Sequence, residues 1–138
     1  MADRTYGTSQ LTYGGDAETP LLRVLQNTLN TANNNLADAA LDNVLTIDAG
    51  MLVMLAGMSV VTAEGATQTF DLGDGDDADF YLAEVDGNAT AGTVYMGLTL
   101  GIPAMKMYSA ADTLDVTAHG AAGVGVYKVR AAVATLFP

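Results

Sequence analysis

Between Asp71 and Asp79 the run DLGDGDDAD places Asp71, Asp74, Asp76, Asp77 and Asp79 within nine residues, five of the chain's sixteen acidic side chains. Carboxylates at that density are hard oxygen ligands, and calcium takes about six to eight oxygens. The spacing departs from the helix-loop-helix calcium loop: counting from Asp74, the third position is Asp76, but the fifth is Ala78 and the sixth is Asp79, where such a loop needs Gly. A Gly-rich calcium nonapeptide would recur, and there is a single copy. The five carboxylates are therefore either the solvated tip of a turn or a weak calcium site that a neighbouring surface completes. The other chemistry-bearing residues lack partners. His119 is the sole histidine, the chain has no Cys, and the carboxylates nearest to it in sequence, Asp112 and Asp115, lie on the other side of a strand, so a structural or exposed His is expected. Ser9, Ser59 and Ser109 have no nucleophile-elbow context. Glu84 and Asp86 lie two apart on one strand face, a spacing that could pair carboxylates for glycoside chemistry but more commonly faces solvent. The run GAAGVG at Gly120–Gly125 matches neither the dinucleotide fingerprint nor the phosphate loop, since it has no Lys and no helix after it. No catalytic residue and no cofactor is expected, and the chain reads as a non-enzyme.

The elements around the acidic run read as a β-hairpin. Phe70 and Leu72 share one face of the approaching strand while Thr67, Thr69 and Asp71 share the other, the period-two pattern of a half-buried strand. Phe80, Leu82 and Ala83 to Val85 repeat the character on the return. Gly73 and Gly75 supply the left-handed conformations of the reversal, and the aspartates are expected to bond their own backbone and stay wet. From Val44 onward strands are predicted at 44–48, 52–62, 67–72, 80–85, 93–100, 104–108, 113–117 and 124–136, divided by Gly-, Asp- and Asn-bearing turns such as Gly101 to Pro103. Short strands at this spacing, with no room for crossover helices, predict a mainly β chain forming an antiparallel β-sandwich.

Three of these strands carry further expectations. In Thr113 to Thr117, Leu114 and Val116 face in and Asp115 faces out. Tyr127, Val129, Ala131 and Val133 form one face of the last strand, opposite Lys128, Arg130, Ala132 and Ala134. Met51 to Val61 lacks polar alternation, so both of its faces should be covered, one of them by another subunit, and Gly57 marks a bulge or a close backbone approach. The methionines read mainly as core filling, with Met105 and Met107 alternating with Lys106, so that either they or Lys106 point outward.

Residues 1–43 differ in composition and are assigned as an N-terminal unit ahead of a sandwich domain at 44–138. Met1 to Glu18 is polar and Gly-bearing, an extended arm with Tyr6, Leu11 and Tyr13 as apolar anchors. Thr19 followed by Pro20 has the form of a helix start, and Leu21, Leu22, Leu25 and Leu29 fall on one helical stripe, predicting a short helix at about 20–30. The run TANNN at 31–35 is a linker, and Leu36 to Val44 fits either a further helical turn or an irregular connector.

Composition narrows the partners. The formal net charge is −11 with only five Lys and Arg, which speaks against nucleic acid and against an anionic membrane surface. The longest apolar run, Met51 to Val61, is about half the roughly 20 residues of a spanning helix. No basic start with an apolar block is visible at the N-terminus, so synthesis in a cytoplasm without export is expected. Hydrophobic residues at 50% and charged ones at 15% indicate a packed core and a weakly charged surface.

The run AEGATQTFDLGDGDDADFYLAEV from Ala63 to Val85 and the run YSAADTLDVTAHGAAGVGVYKVRAAVATL from Tyr108 to Leu136 resemble small structural proteins of tailed bacteriophages, in particular head decoration (cement) proteins with β-sandwich or jelly-roll folds. The likeness covers roughly residues 50 to 136 and rests on the Gly/Asp hairpin, the AADTLDVT strand and the charged-to-apolar last strand. It implies a virion protein made in the host cytoplasm that assembles as homo-oligomers, trimers, on the capsid exterior against the major capsid protein. Tyr6, Leu11, Tyr13, Leu21, Leu22 and Leu25 would then supply the contacts between subunits and shell. A tail, neck or fibre head module is the alternative within the same resemblance. A calcium-dependent carbohydrate-binding sandwich is a further one, though the chain has no Trp and its six Tyr are scattered.

Overall fold

The computed structural model describes residues 10–11, 22–33, 36–120 and 122–135, with backbone alone at 10–11. Its strands are β1 (Gln10–Leu11), β2 (Leu22–Asn30), β3 (Leu41–Ile47), β4 (Met51–Thr62), β5 (Thr69–Gly73), β6 (Leu82–Asp86), β7 (Val94–Met96), β8 (Leu98–Thr99), β9 (Ile102–Pro103), β10 (Lys106–Tyr108), β11 (Asp112–His119) and β12 (Val126–Thr135). All pairings are antiparallel. One sheet runs β1-β2-β12-β4-β10, with β7 beside β10 along the same edge of β4; the other runs β3-β11-β5-β6. The chain crosses between the two sheets at six of its connections, β2–β3, β3–β4, β4–β5, β6–β7, β10–β11 and β11–β12, so neither layer can form alone, and the fold is an antiparallel β-sandwich.

The core lies between the layers. Tyr127, Val129 and Val133 from β12 and Val53 from β4 meet Ile47, Phe70, Leu72, Leu114 and Val116 from the second sheet, all fully buried. Phe70 and Tyr127 pack edge-on with ring centroids 4.8 Å apart, the arrangement that places a positive ring edge on a negative face. Gly87 admits this pair, because a side chain there would strike the Phe70 ring.

The predicted helix at 20–30 is absent: Leu22 to Asn30 is strand β2, and all nine of its residues are registered against β12, from Leu22↔Ala134 to Asn30↔Val126. The helical stripe through Leu22, Leu25 and Leu29 coexists with a period of two, in which Arg23, Leu25, Asn27 and Leu29 turn inward. Asn27 Nδ2 donates to the Val44 carbonyl at 2.9 Å, and the Arg23 guanidinium lies 3.8 Å from Asp48 through its terminal nitrogen while its buried Nε has no hydrogen-bond partner. A full ladder with β12 outweighs the local preference of a Thr-Pro start, as tertiary context commonly does. Leu36 bridges Ala122 and Ala37 to Ala40 form a turn, so Leu36 to Ala40 is an irregular connector, whereas Leu41 to Val44, expected as neither, is the start of strand β3.

Other strand expectations hold with local corrections. The segment predicted at 93–100 divides at Gly97, where an added Cβ would come within 3.0 Å of the Ala56 and Tyr81 carbonyls. The reversal then falls at Leu100–Gly101 rather than at Gly101–Pro103, since Thr99 pairs with Ile102. Both turn residues have positive φ, +52° and +78°, the conformation of a tight hairpin turn that Asn-Gly usually fills. A left-handed Leu costs about 1–2 kcal/mol relative to a relaxed one. Asp115 faces away from Leu114 and Val116 as expected and shares its face with Thr113, whose hydroxyl donates to it at 2.6 Å, but it is buried; the register slip beside it places the extra residue, Val44, on β3.

Candidate functional site

The acidic run was expected to stay wet, and the structure corrects this for Asp71 and Asp74, both buried. Asp74 begins the reversal between β5 and β6. Its Oδ1 accepts the amides of Asp76 and Asp77, each at 3.0 Å, while its Oδ2 accepts from Lys106 Nζ at 2.7 Å and the Tyr108 hydroxyl at 2.6 Å. Tyr108 in turn lies 2.9 Å from the Tyr81 hydroxyl. Burial pushes the Asp74 carboxyl up, but the bonds from Lys106, Tyr108 and the two amides outweigh it and hold the group below the ordinary carboxylate range. Burial pushes the Tyr81 hydroxyl up to about 12. Lys106 also reaches Asp76 at 3.2 Å, and these charges raise its own pKa against the opposing effect of burial. The cluster is a latch: it ties a turn of the second sheet to β10, on the edge of the first.

The five aspartates do not converge on one point. Asp74 and Asp76 come together with Asp112 from β11, with carboxylate oxygens within 4.8 Å of one another, and Lys106 brings the positive charge to Asp74 and Asp76. Asp77 accepts the Asp79 amide at 3.4 Å, and Asp79 is raised by its hydrogen bond and proximity to Asp77. Asp71 faces elsewhere, 2.6 Å from His119 Nε2, so His119 has a carboxylate neighbour that its sequence surroundings did not indicate. That bond raises the His119 pKa.

A second buried carboxylate escaped the sequence reading. Glu64 Oε1 accepts the amides of Gly123 and of Val124, the latter at 2.8 Å; Oε2 accepts the Gly125 amide at 2.8 Å, the Thr31 hydroxyl at 3.0 Å and, more distantly, Tyr127. Burial pushes Glu64 up, and the three amides with Thr31 pull it below its ordinary value. Successive amides pointing at one anion form a nest, and the glycines of HGAAGVG were the only sequence sign of it. Gly125 is required, because a Cβ there would strike the Tyr127 hydroxyl and sit 2.6 Å from Glu64 Oε2. Glu64 and Asp74 are both engaged within the fold, as are the buried Asp71 and Asp115 through His119 and Thr113.

What remains open to a partner is apolar. The core side of β4 is buried, through Met51, Val53, Ala56, Met58 and Val60, but the opposite side is left uncovered by the single chain, with Val61 exposed. Register places Ala132 opposite both Leu55 and Val24, Ala134 opposite Leu52 and Leu22, and Met96 opposite Gly57, so these residues share the outer face. Val24, Leu55, Met96 and Ala132 line a pocket of about 200 Å³, with Gly57 at its floor and Arg130 at its rim. Gly57 gives the close backbone approach anticipated for it, as a Cβ would meet the Tyr95 carbonyl at 2.5 Å. Met105, Met107 and Met96 are exposed, and Lys106 is the residue turned inward. Of the expected contact residues, Leu22 is exposed on this face and Leu25 packs against the core. Leu11 lies in β1, and Tyr6, Tyr13 and Leu21 fall outside the described residues.

Charge divides by sheet. The strands of the first sheet carry Arg23, Lys106, Lys128 and Arg130 and no Asp or Glu. Those of the second carry Asp42, Asp71, Glu84, Asp86, Asp112 and Asp115 and no Lys or Arg. Glu84 and Asp86 are exposed there, as alternation predicts.

This β-sandwich is one that chains from phage capsids adopt. The chain is similar to one in the structure of the cyanophage Pam1 capsid asymmetric unit, at 15% identity and a TM-score of 0.65 over 97% of this chain and 99% of that one. It is also similar to a chain in the capsid of Ralstonia phage GP4, at 14% identity and a TM-score of 0.63 over 94% and 93%. A chain in the acidic stable capsid structure of Helicobacter pylori bacteriophage KHP30 follows at 12% and 0.61 over 82% and 86%. No protein family and no curated protein matches the sequence.

Proposed function

We propose that the chain is a structural, non-enzymatic virion protein that decorates and stabilises the exterior of a phage capsid. It is made in the host cytoplasm and binds the major capsid protein as an oligomer, a trimer. The observation that carries this reading is the uneven surface: one sheet face joins an apolar half to a polar and basic one and is free of strand carboxylates, the other is acidic. Joined to a fold shared along most of their length with three phage-capsid chains, it suits a small protein that turns one side to neighbours and the other to solvent. Residues 1–18 act as an arm over the shell, with Tyr6, Leu11 and Tyr13 as anchors, and several weak contacts per oligomer add through avidity. An acidic outer sheet keeps particles apart.

The test is addition of the purified chain to capsids assembled without it. Saturable binding at a stoichiometry comparable with the shell protein, with a higher temperature of genome release, is expected. Binding confined to tails, or none to shells, refutes the reading. Deleting residues 1–18 should weaken shell binding and leave the sandwich folded.

A further inference from the structure

We propose that the Leu98–Pro103 hairpin is a knob by which one copy of the chain holds the next, with Leu100 seated in the second copy's pocket of Val24, Leu55, Met96 and Ala132. The proposal rests on the oligomeric reading above and assigns the contact that makes the oligomer. Leu100 is 98% exposed and Ile102 67%, and Leu100 stands in a left-handed conformation that Asn or Gly adopts more readily. A polar tip would serve the turn better, so an apolar one points to a contact beyond the chain. The pocket has the capacity for it. An apolar cavity of about 150 Å³ admits a benzene-sized group, and this one measures about 200 Å³.

A second copy is the occupant that brings this knob with it. Two chains of net charge −11 repel, and the first sheet's outer face is where they can meet without opposing strand carboxylates. The knob suits it, since residues 97–105 carry no charge at all. At the rim, Arg130 is held by Gln26 at 2.7 Å and Ser59 at 3.1 Å, away from an unpaired role. Knob and pocket are different surfaces, so each copy gives one and offers the other, the heterologous arrangement that closes rings.

Solution mass by light scattering and sedimentation tests this on the wild-type chain, on Leu100→Asn, on Val24→Asp and on an equimolar mixture of the two variants. Asn suits the turn, and Val24 is half-exposed, so both variants should fold; a melting curve checks this, with Ile102→Asn and Leu55→Asp as substitutes. The wild type should be oligomeric, and each variant alone should self-associate roughly 10- to 100-fold more weakly. The mixture should recover a two-copy species, because Leu100→Asn retains its pocket and Val24→Asp its knob. A monomeric wild type overturns the proposal even if it decorates capsids, which would leave the functional reading standing. Wild-type mass in Leu100→Asn, or a mixture that fails to pair, overturns it as well. So does a Leu100→Asn chain that keeps its mass but loses shell binding, which would assign Leu100 to the shell.

Discussion

Replacing Glu64 by Gln changes one atom of a buried side chain and tests whether the anion, rather than the shape, organises the 122–125 loop. The carboxylate has only acceptors, and donors converge on both oxygens. A Gln must place its amide nitrogen at one oxygen. At the Oε1 position it would face the Gly123 and Val124 amides; at Oε2 it would face the Gly125 amide and the Thr31 hydroxyl. Either way at least one backbone donor loses its acceptor, at about 1–3 kcal/mol, and the remaining bonds lose their charge assistance, worth about 1 kcal/mol more. The expected cost is about 3 kcal/mol against the roughly 5–15 kcal/mol of an ordinary domain, or about 10 °C in melting temperature for a chain of this size.

Urea unfolding at pH 7 and fixed protein concentration measures it. The pH dependence supplies a second reading. Glu64 is held below its unfolded value of 4.5, so its contribution is complete above that value and is lost as pH falls through the lowered folded one. The gap between wild type and Glu64→Gln should therefore close in acid. Gly125→Ala should cost a similar amount by a different route, since its Cβ displaces Tyr127 and Glu64. A Glu64→Gln cost below about 0.5 kcal/mol, or a gap that stays constant with pH, would refute the reasoning.

Three further outcomes are expected. Asp74→Ala should destabilise by about 2–4 kcal/mol, since it strands the buried Tyr108 hydroxyl and the Lys106 ammonium; chemical unfolding measures it, and the Tyr108→Phe background should reduce the loss. A calcium chelator should leave oligomer mass and melting temperature unchanged, because Lys106 already bridges Asp74 and Asp76 and cancels one of their charges; loss of mass on chelation would instead assign the acidic turn a metal. His119 has a raised pKa from Asp71, so its pairing supports the fold below about pH 6.5 and is lost as pH rises through the raised value. An NMR titration should find that value above the ordinary one in wild type, and back near it in Asp71→Asn.

What the sequence disclosed and what it withheld follow from the range of the forces involved. Strand alternation is local, so β11, β12 and the hairpin around Asp74 were legible from Leu114/Val116, from Tyr127/Val129 and from Phe70/Leu72; Gly73 and Gly75 do not take the left-handed conformations expected of them, and Gly73 instead admits the Asp77 carbonyl, which a Cβ would strike. The helix misreading at β2 had a local cause too: Thr19-Pro20 and the Leu spacing fit a helix, and only the distant strand β12 supplies the ladder that decides otherwise. The buried acids were illegible for the same reason. Asp74 is buried because Lys106 and Tyr108 arrive from 32 and 34 residues away, and Glu64 because amides arrive from about 60 residues away. Asp115 is buried although it faces away from Leu114 and Val116, since a period of two says which way a side chain points and not what covers it. In contrast, the apolar surplus of Met51 to Val61 did announce itself, since no single layer of a sandwich covers both sides of a strand.

That surplus raises the question of how such a chain avoids indiscriminate association before it meets its partner. A sheet is sticky along its edges as well as on its faces, because unpaired edge amides and carbonyls recruit any extended strand. Here β7 and β10 both pair along the far edge of β4, and β1 pairs with the start of β2. The edge strands of the second sheet, β3 and β6, carry Asp42, Glu84 and Asp86, whose charge opposes strand addition. Backbone recruitment is thereby opposed at β4 and along the second sheet while the outer face of the first sheet stays open, although β1 covers only Leu22 and Arg23 of β2. Face-to-face contact depends on side-chain shape and admits only a surface that fits, whereas edge pairing accepts any extended strand. The Glu64 and Asp74 latches complete this division: by holding loops and turns with buried carboxylates, they stabilise the subunit without the apolar residues left on its outer face.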